Sequence, residues 1–268
     1  MIKILKKIFF NFILINTFLI TSIAFSQQNS NMTFFVTSEP IGDGGNLGGL
    51  EGADAHCQRL ATEVGAGDKK WVAYLSTQAR PGKPAINARD RIGDGPWYNV
   101  NGEMIARDVS HLHGDTIEQA RLGNNLTKQS GLTEKGQIVP GLNDYQDPKY
   151  RNGVFSDNDW DVIKHTPYSN RHEVLTGSKP DGTAYDPALD YTCNNWTSNK
   201  DPEGMDRSNP RENRMGAYEG KPNVQIGFPD RNGGGDGSWN SSHGTRGCSQ
   251  YSLAMTHGIG MFYCFVTN

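Results

Sequence analysis

The residues best suited to chemistry gather in two stretches of the chain. Asp230, Asn232 and Asp236 bracket Arg231 and the run Gly233-Gly234-Gly235. Their oxygens sit on a bendable backbone, the raw material of a calcium site, since Ca2+ takes about six to eight oxygen ligands. The loop lacks the distal Glu of an EF-hand, with Ser241 in its place, so a solvated glycine turn is the plainer reading. Arg171-His172-Glu173 and Ser242-His243 supply a hydroxyl, imidazoles and a carboxylate, the ingredients of a hydrolytic triad. No strand–Ser–helix elbow surrounds Ser242, so these residues read first as polar scaffold or as hydrogen-bond donors to a ligand. Trp239 and Asn240 adjoin the glycine run; an indole stacks on the C–H face of a sugar while an amide bonds its hydroxyls. A structural Trp is the commoner role.

Two further groupings carry less. His111 and His113 with Asp115 suit zinc only if a fourth ligand joins them, and ordinary hydrogen-bonding histidines are expected there. Asp157, Asp159 and Asp161 alternate around Trp160, with no glycine to bend the backbone about a cation. An exposed acidic loop is expected.

These side chains must be positioned by a chain with few long helices. It has 268 residues, 32 of them Gly and 13 Pro, which implies many turns. Lys3, Lys6 and Lys7 precede an apolar run from Ile8 to Ile20, and Ala24-Phe25-Ser26 offers small residues for cleavage. That is the layout of a secretory signal peptide spanning residues 1–26, with the remainder, 27–268, expected as a single domain. The run is shorter than the roughly 20 apolar residues of a membrane span. Losing three Lys and no acid moves the formal net charge from -3 to -6. A chain so charged has no electrostatic reason to bind nucleic acid or an anionic bilayer. No later segment is apolar enough to enter a membrane, so a secreted or periplasmic protein is expected.

Cys57, Cys193, Cys248 and Cys264 are an even set without any C-x-x-C, which in an exported chain reads as two disulfides. Counting alone leaves all three pairings open. Residues 33–37 (T-F-F-V-T) read as a strand, and Ala53, Cys57, Leu60, Ala61 and Val64 share one face of a helix over 51–64 that stops at Gly65. Residues 71–76 (W-V-A-Y-L-S) read as a strand. Residues 97–106 read as a hairpin with a type I′ turn at Asn101-Gly102. A further strand is expected over 133–139, mostly loop over 140–191, and core strands over 192–197 and 261–266.

The run G-G-L-E-G-A-D-A-H-C-Q-R-L-A-T-E-V-G (48–65) followed by W-V-A-Y-L-S resembles the opening of endostatin-like domains, a branch of the C-type lectin-like superfold. C-N-N-W-T (193–197), G-C (247–248) and F-Y-C-F (262–265) match the remaining half-cystines of that pattern. N-A-R-D-R-I-G (87–93), G-P-W-Y-N (95–99) and L-T-G-S-K-P-D-G-T-A (175–184) resemble stretches of bacterial secreted proteins described as lectins. The resemblance implies an α+β, C-type lectin-like/endostatin-like domain with long loop insertions, the main one roughly 78–190. It also implies adjacent termini and the nested pairing Cys57–Cys264 and Cys193–Cys248. The E-P-N or Q-P-D and W-N-D motifs of sugar-binding C-type lectins are missing from their expected places.

The expected function is non-catalytic binding of an extracellular or cell-surface ligand, a glycan first among them. Asp230, Asn232 and Asp236 would hold Ca2+ or hydroxyls, and Arg171, His172, Glu173, Trp239, Asn240 and His243 would form the ligand surface. The alternatives are an adhesive module that binds protein or matrix through a broad face, and a hydrolase of envelope polymers. The latter would need a concave site with convergent His and carboxylates.

Overall fold

The computed structural model describes residues 31–141, 144, 171–205, 222–231 and 237–267; the expected signal peptide and the Asp157–Asp161 cluster lie outside them. The core is organised by one long strand, β8 (Gly258–Val266), whose sequence GIGMFYCFV is buried up to its last residue. An apolar run of this kind is suited to burial on both faces. β1 (Phe34–Val36) pairs antiparallel with its C-terminal half, Phe35 opposite Cys264. β2 (Trp71–Ala73) pairs antiparallel with the same residues, Ala73 opposite Cys264, so β1 and β2 must occupy opposite edges of β8. Both ends of the described chain therefore meet, the terminal strands lying side by side.

Side chains alternate across this sheet, as a period of two demands. Phe35, Trp71, Ala73, Phe262 and Cys264 face one core, with Ala53, Cys57, Leu60 and Ala61 of α1 (Gly49–Glu63). Phe34, Val36, Val72, Tyr74, Tyr263 and Phe265 face a second, with Trp97 and Trp239. Burying each such large side chain stabilises by about 1.5–3 kcal/mol. Cys57 and Cys264 meet inside the first core, and their disulfide closes a separation of 207 residues. Cys193 and Cys248 form the second, across 55 residues. This is the pairing that the resemblance implied.

The glycine-rich stretch after β1 is explained by that second disulfide. A Cβ on Gly44 would stand 2.2 Å from the Cys248 carbonyl oxygen, and one on Gly45 would stand 2.7 Å from the Cys193 sulfur. Only glycine fits so close an approach.

Several local expectations are corrected. The strand at 71–76 narrows to Trp71–Ala73, although Tyr74 still donates its N–H to Tyr263 and Ser76 to Thr176. The hairpin of β3 (Trp97–Tyr98) and β4 (Met104–Ala106) turns through a longer loop than type I′. Gly102 N–H bonds the Asn99 carbonyl, Asn99 N–H bonds that of Glu103, and Gly102 (φ 78°) has the positive φ. This is the three-residue arrangement with a left-handed glycine. At 133–139 the chain makes a turn closed by Thr133 N–H to the Gln137 carbonyl, with only isolated bridges.

The segment expected to be mostly loop contributes β5 (Glu173–Leu175), fully buried inside the sheet. It runs parallel to β8 on one side and antiparallel to β6 (Gln225–Gly227) on the other, and β6 pairs with β7 (His243–Gly244). Three residues are too short for a periodic signal. Short helices α2 (Val109–His113), α3 (Ile117–Leu122) and α4 (Gln250–Ala254) and a 3-10 turn at Ala88–Asp90 lie around the sheet. No helix among the described residues is long and apolar enough to cross a membrane.

The largest correction falls at 192–197. The expected core strand is a left-handed helical turn, with φ of 48°, 56°, 56° and 68° at Cys193, Asn194, Asn195 and Trp196. Each non-glycine residue in that conformation costs roughly 1–2 kcal/mol. The turn persists because its surroundings over-determine it. Thr192 Oγ1 accepts the Asn195 N–H at 3.1 Å. Asn195 holds the backbone of Gln78 through both amide atoms at 2.9 Å. The buried Trp196 indole donates to the Ser76 carbonyl at 2.8 Å, and Cys193 is tied by its disulfide.

Candidate functional site

The sheet does bring the two predicted stretches together. β5 carries His172 and Glu173 toward the strand pair β6–β7 and the residues just beyond β6. His172 Nδ1–H donates to both Asp230 oxygens, at 3.0 and 3.2 Å, and both side chains are buried. Glu173 Oε1 stands 3.4 Å from Nε2 of His243, whose Nδ1 faces the Gly244 carbonyl at 3.1 Å. Both ring nitrogens of His243 thus face oxygen atoms. Phe228 separates the two imidazoles, 4.5 Å from the ring of His172 and 5.5 Å from that of His243. His257 joins from the turn before β8; burial holds its pKa below the usual range, with Glu173 opposing that shift. Arg171 is likewise lowered by burial.

This cluster is closed rather than open. Glu173 is buried, and its Oε2 has no hydrogen-bond partner among the described residues, an arrangement that costs about 1–3 kcal/mol or more for a charged group. The expected roles of His172 and Glu173 as ligand-surface residues are therefore corrected: they pair with Asp230 and His243 beneath the surface. Asp230, expected as a calcium ligand, is instead found buried with its carboxylate hydrogen-bonded to His172. Asn232 and Asp236 lie outside the described residues. Among the described residues no group of three or more His, Cys, Asp or Glu is arranged to hold a metal ion. The convergence of imidazoles and carboxylates that a hydrolase would need is present in this cluster. Of these two His–carboxylate pairs, only His243 retains appreciable exposure.

Trp239 and Asn240 are corrected as well. Trp239 is 6% exposed, its ring packed on Tyr74 at 4.9 Å, Tyr263 at 5.4 Å and His113 at 5.6 Å. It is a core residue, not a sugar platform. Asn240 Nδ2 donates to Tyr74 Oη at 2.9 Å, to Pro180 O at 3.1 Å and to Lys179 O at 3.2 Å. The Tyr74 hydroxyl in turn donates to His113 Nε2 at 2.8 Å, and His113 Nδ1–H donates to the Val109 carbonyl at 2.8 Å. Burial lowers the His113 pKa to about 4, which keeps the imidazole neutral and able to accept. His111 bonds the Arg107 N–H and the Gly123 carbonyl, and Asp115 pairs with Arg89 at 2.6 Å. The three residues once grouped for zinc thus have separate structural duties.

An opening does occur at the left-handed turn. A cleft of about 860 Å³ is lined by Asp190, Asn194, Thr197, Ser198, Lys200, Asp201, Glu203 and three Pro or Gly residues. Its volume falls within the roughly 300–1,000 Å³ of small-molecule sites. The walls are built by carboxylates turned into the backbone. Asp190 accepts the N–H groups of Thr192 at 3.1 Å and Asn194 at 2.8 Å. Asp201 accepts the N–H of Ser249 at 2.9 Å and its hydroxyl at 2.7 Å, which joins the wall to the Cys248 side of the disulfide. Asn194 gives its amide N–H to Thr197 Oγ1 at 2.9 Å and is exposed, as are Lys200 and Glu203. None of these residues is expected from sequence to bind a ligand; Asn194 and Thr197 enter there only within the C-N-N-W-T run. The available signal was the Asn-Asn pair before Trp196, since Asn is enriched among residues with positive φ.

Compared with protein-family models and with curated proteins, the chain matches none.

Proposed function

We propose that the chain is an exported C-type lectin-like domain of the endostatin-like branch that binds a hydroxyl-rich ligand, a glycan, in the cleft beside the left-handed turn. The observation that carries this reading is the cleft itself, a recess of about 860 Å³ lined, among the described residues, by Asp190, Asn194, Thr197, Ser198, Lys200, Asp201 and Glu203, all hydrogen-bonding groups. Carboxylates, amides and hydroxyls on a fixed backbone match the alternating donors and acceptors of a sugar ring. The walls are held before the ligand arrives, by the Cys193–Cys248 disulfide and by Asp190 and Asp201. Preorganisation of this kind lowers the entropy cost of binding.

The family assignment is supported by three features: the helix-then-strand opening, the antiparallel pairing of the first and last strands, and the disulfide from the first helix to the last strand. Export, to the periplasm or beyond, is supported by two disulfides, which persist in oxidising spaces, and by the signal-like residues 1–26.

A glycan array followed by calorimetric titration of any hit tests the function. Asn194→Gly removes the amide yet keeps a residue at ease with positive φ. It is expected to weaken binding about tenfold, as is typical of losing one or two hydrogen bonds to a ligand, with little change in melting temperature. A blank array removes the proposal.

A further inference from the structure

We infer that His56, Arg59 and Glu39 form an acid-operated switch: protonation of the His56 ring expels the Arg59 guanidinium from its place between α1 and the segment that follows β1. That segment, residues 38–43, runs from β1 to Gly44 and Gly45, which pack on the residues of the Cys193–Cys248 disulfide. Ser38 fixes its start, donating its N–H to Glu134 Oε2 at 3.0 Å and its hydroxyl to Glu134 Oε1. Gly44 fixes its end, with its N–H on Gln250 Oε1 at 2.8 Å. Between these two points α1 holds Glu39 twice. His56 Nε2 lies 3.0 Å from the Glu39 carbonyl oxygen, and Arg59 Nη2 donates to Glu39 Oε1 at 2.7 Å. Arg59 Nη2 also stands 3.3 Å from His56 Nδ1, while its Nη1 donates to Glu63 Oε1 at 2.6 Å.

These contacts fix the state of the ring. A carbonyl only accepts and a guanidinium only donates, so Nε2 carries the hydrogen and Nδ1 the lone pair. His56 is therefore neutral in this arrangement. A further proton lands on Nδ1, the nitrogen that faces Arg59, and sets two donors and two positive charges 3.3 Å apart. The Nε2–H bond to the Glu39 carbonyl survives, so the ring stays and the guanidinium leaves. Arg59 is 44% exposed and keeps Glu63, one turn along the helix, as a partner. The Glu39 carboxylate, half exposed, then takes the new Nδ1–H. Acid thus exchanges Glu39 from Arg59 to His56 and turns a cation outward on α1. Charged groups reach the ring from three sides: Arg59 on α1, Glu39 after β1, and Glu134 in the turn at 133–139. Lys135, beside Glu134, donates to Ser38 Oγ at 3.0 Å, and β8 packs the Phe262 ring 5.6 Å from the imidazole. Burial holds the His56 pKa below the usual range; the Glu39 carbonyl opposes this, Arg59 deepens it, and the Glu39 and Glu134 carboxylates oppose it again. The neutral form therefore prevails above about pH 6.5 and gives way as pH falls below that value.

The test follows the His56 ring and the Arg59 guanidinium by NMR in the full chain, from about pH 7.5 to about pH 4.5. Both sets of signals are expected to move together, with one midpoint below about pH 6.5. Arg59→Met removes a neighbouring cation at an exposed position and is expected to raise the His56 midpoint by about half a unit or more, whereas Glu39→Gln lowers it. His56→Gln supplies a carboxamide that donates to the Glu39 carbonyl, accepts from Arg59 and does not titrate, so the Arg59 signals stay flat over the same range. Arg59 signals that hold still while His56 titrates overturn the switch, as does a His56 ring that remains neutral to the end of the range. A His56 midpoint that Arg59→Met leaves unchanged or lowers also overturns it, and this arm stands even if His56→Gln does not fold. None of these outcomes depends on what the cleft binds.

Discussion

Removing each disulfide in turn gives a prediction whose size is set by chain topology. Cys57–Cys264 closes a separation of 207 residues and Cys193–Cys248 one of 55. In the chain-entropy model these cross-links stabilise by about 5.4 and about 4.2 kcal/mol at 25 °C, a difference of about 1.2 kcal/mol. All four sulfurs are fully buried, so the small cavity left by each double Cys→Ala replacement is similar and largely cancels in that difference. The left-handed turn at 193–196 stays held in both variants by Asn195 on Gln78 and by Trp196 on Ser76, so its strain also cancels in that difference. The Cys57→Ala/Cys264→Ala protein is therefore expected to lose about 1.2 kcal/mol more than Cys193→Ala/Cys248→Ala. Urea unfolding of the three proteins under non-reducing conditions measures this, with a peptide map confirming the remaining bridge. An equal loss, or a greater one for the Cys193–Cys248 pair, would refute the reasoning. Free thiols in the unmodified protein would refute it before any unfolding was done.

Other outcomes are also expected. His113 has a pKa near 4 in the folded chain against about 6.5 when unfolded, so the unfolded state binds the extra proton between those values. Its contribution is complete above about pH 6.5 and declines as pH falls toward 4, by about 3 kcal/mol in all. His56 and His257, also lowered by burial, steepen the same limb. Urea midpoints across this window measure it, and a His113→Gln protein with an unchanged slope would contradict the assignment. Trp239→Ala is expected to destabilise by about 3–5 kcal/mol through loss of core packing, read by thermal unfolding. Stability within about 1 kcal/mol of the parent, together with lost glycan binding, would return Trp239 to the role of a stacking platform.

The first helix, the strand after it and the last strand were legible because each carries a pattern long enough to repeat. Ala53, Cys57, Leu60 and Ala61 mark a helix face, and Met261 to Phe265 an unbroken apolar run; all of these residues are buried. β5 was not legible, since three residues make no period and its place between β8 and β6 is a long-range pairing. The left-handed turn at 193–196 was read as a strand because aromatic and Thr neighbours favour one locally. Its actual conformation is set by Gln78, Ser76 and Cys248, which are distant in sequence.

Sequence alone determined composition, charge, an even cysteine set and the elements whose side chains repeat in register, because these are properties of neighbouring residues. Burial, by contrast, depends on what the rest of the chain brings alongside. The tertiary structure drew Trp239, Asn240, His172 and Asp230 inward, away from the ligand-binding role their types suggested. It also opened a cleft at Asn194, Lys200 and Glu203, where the sequence shows only an unremarkable polar stretch.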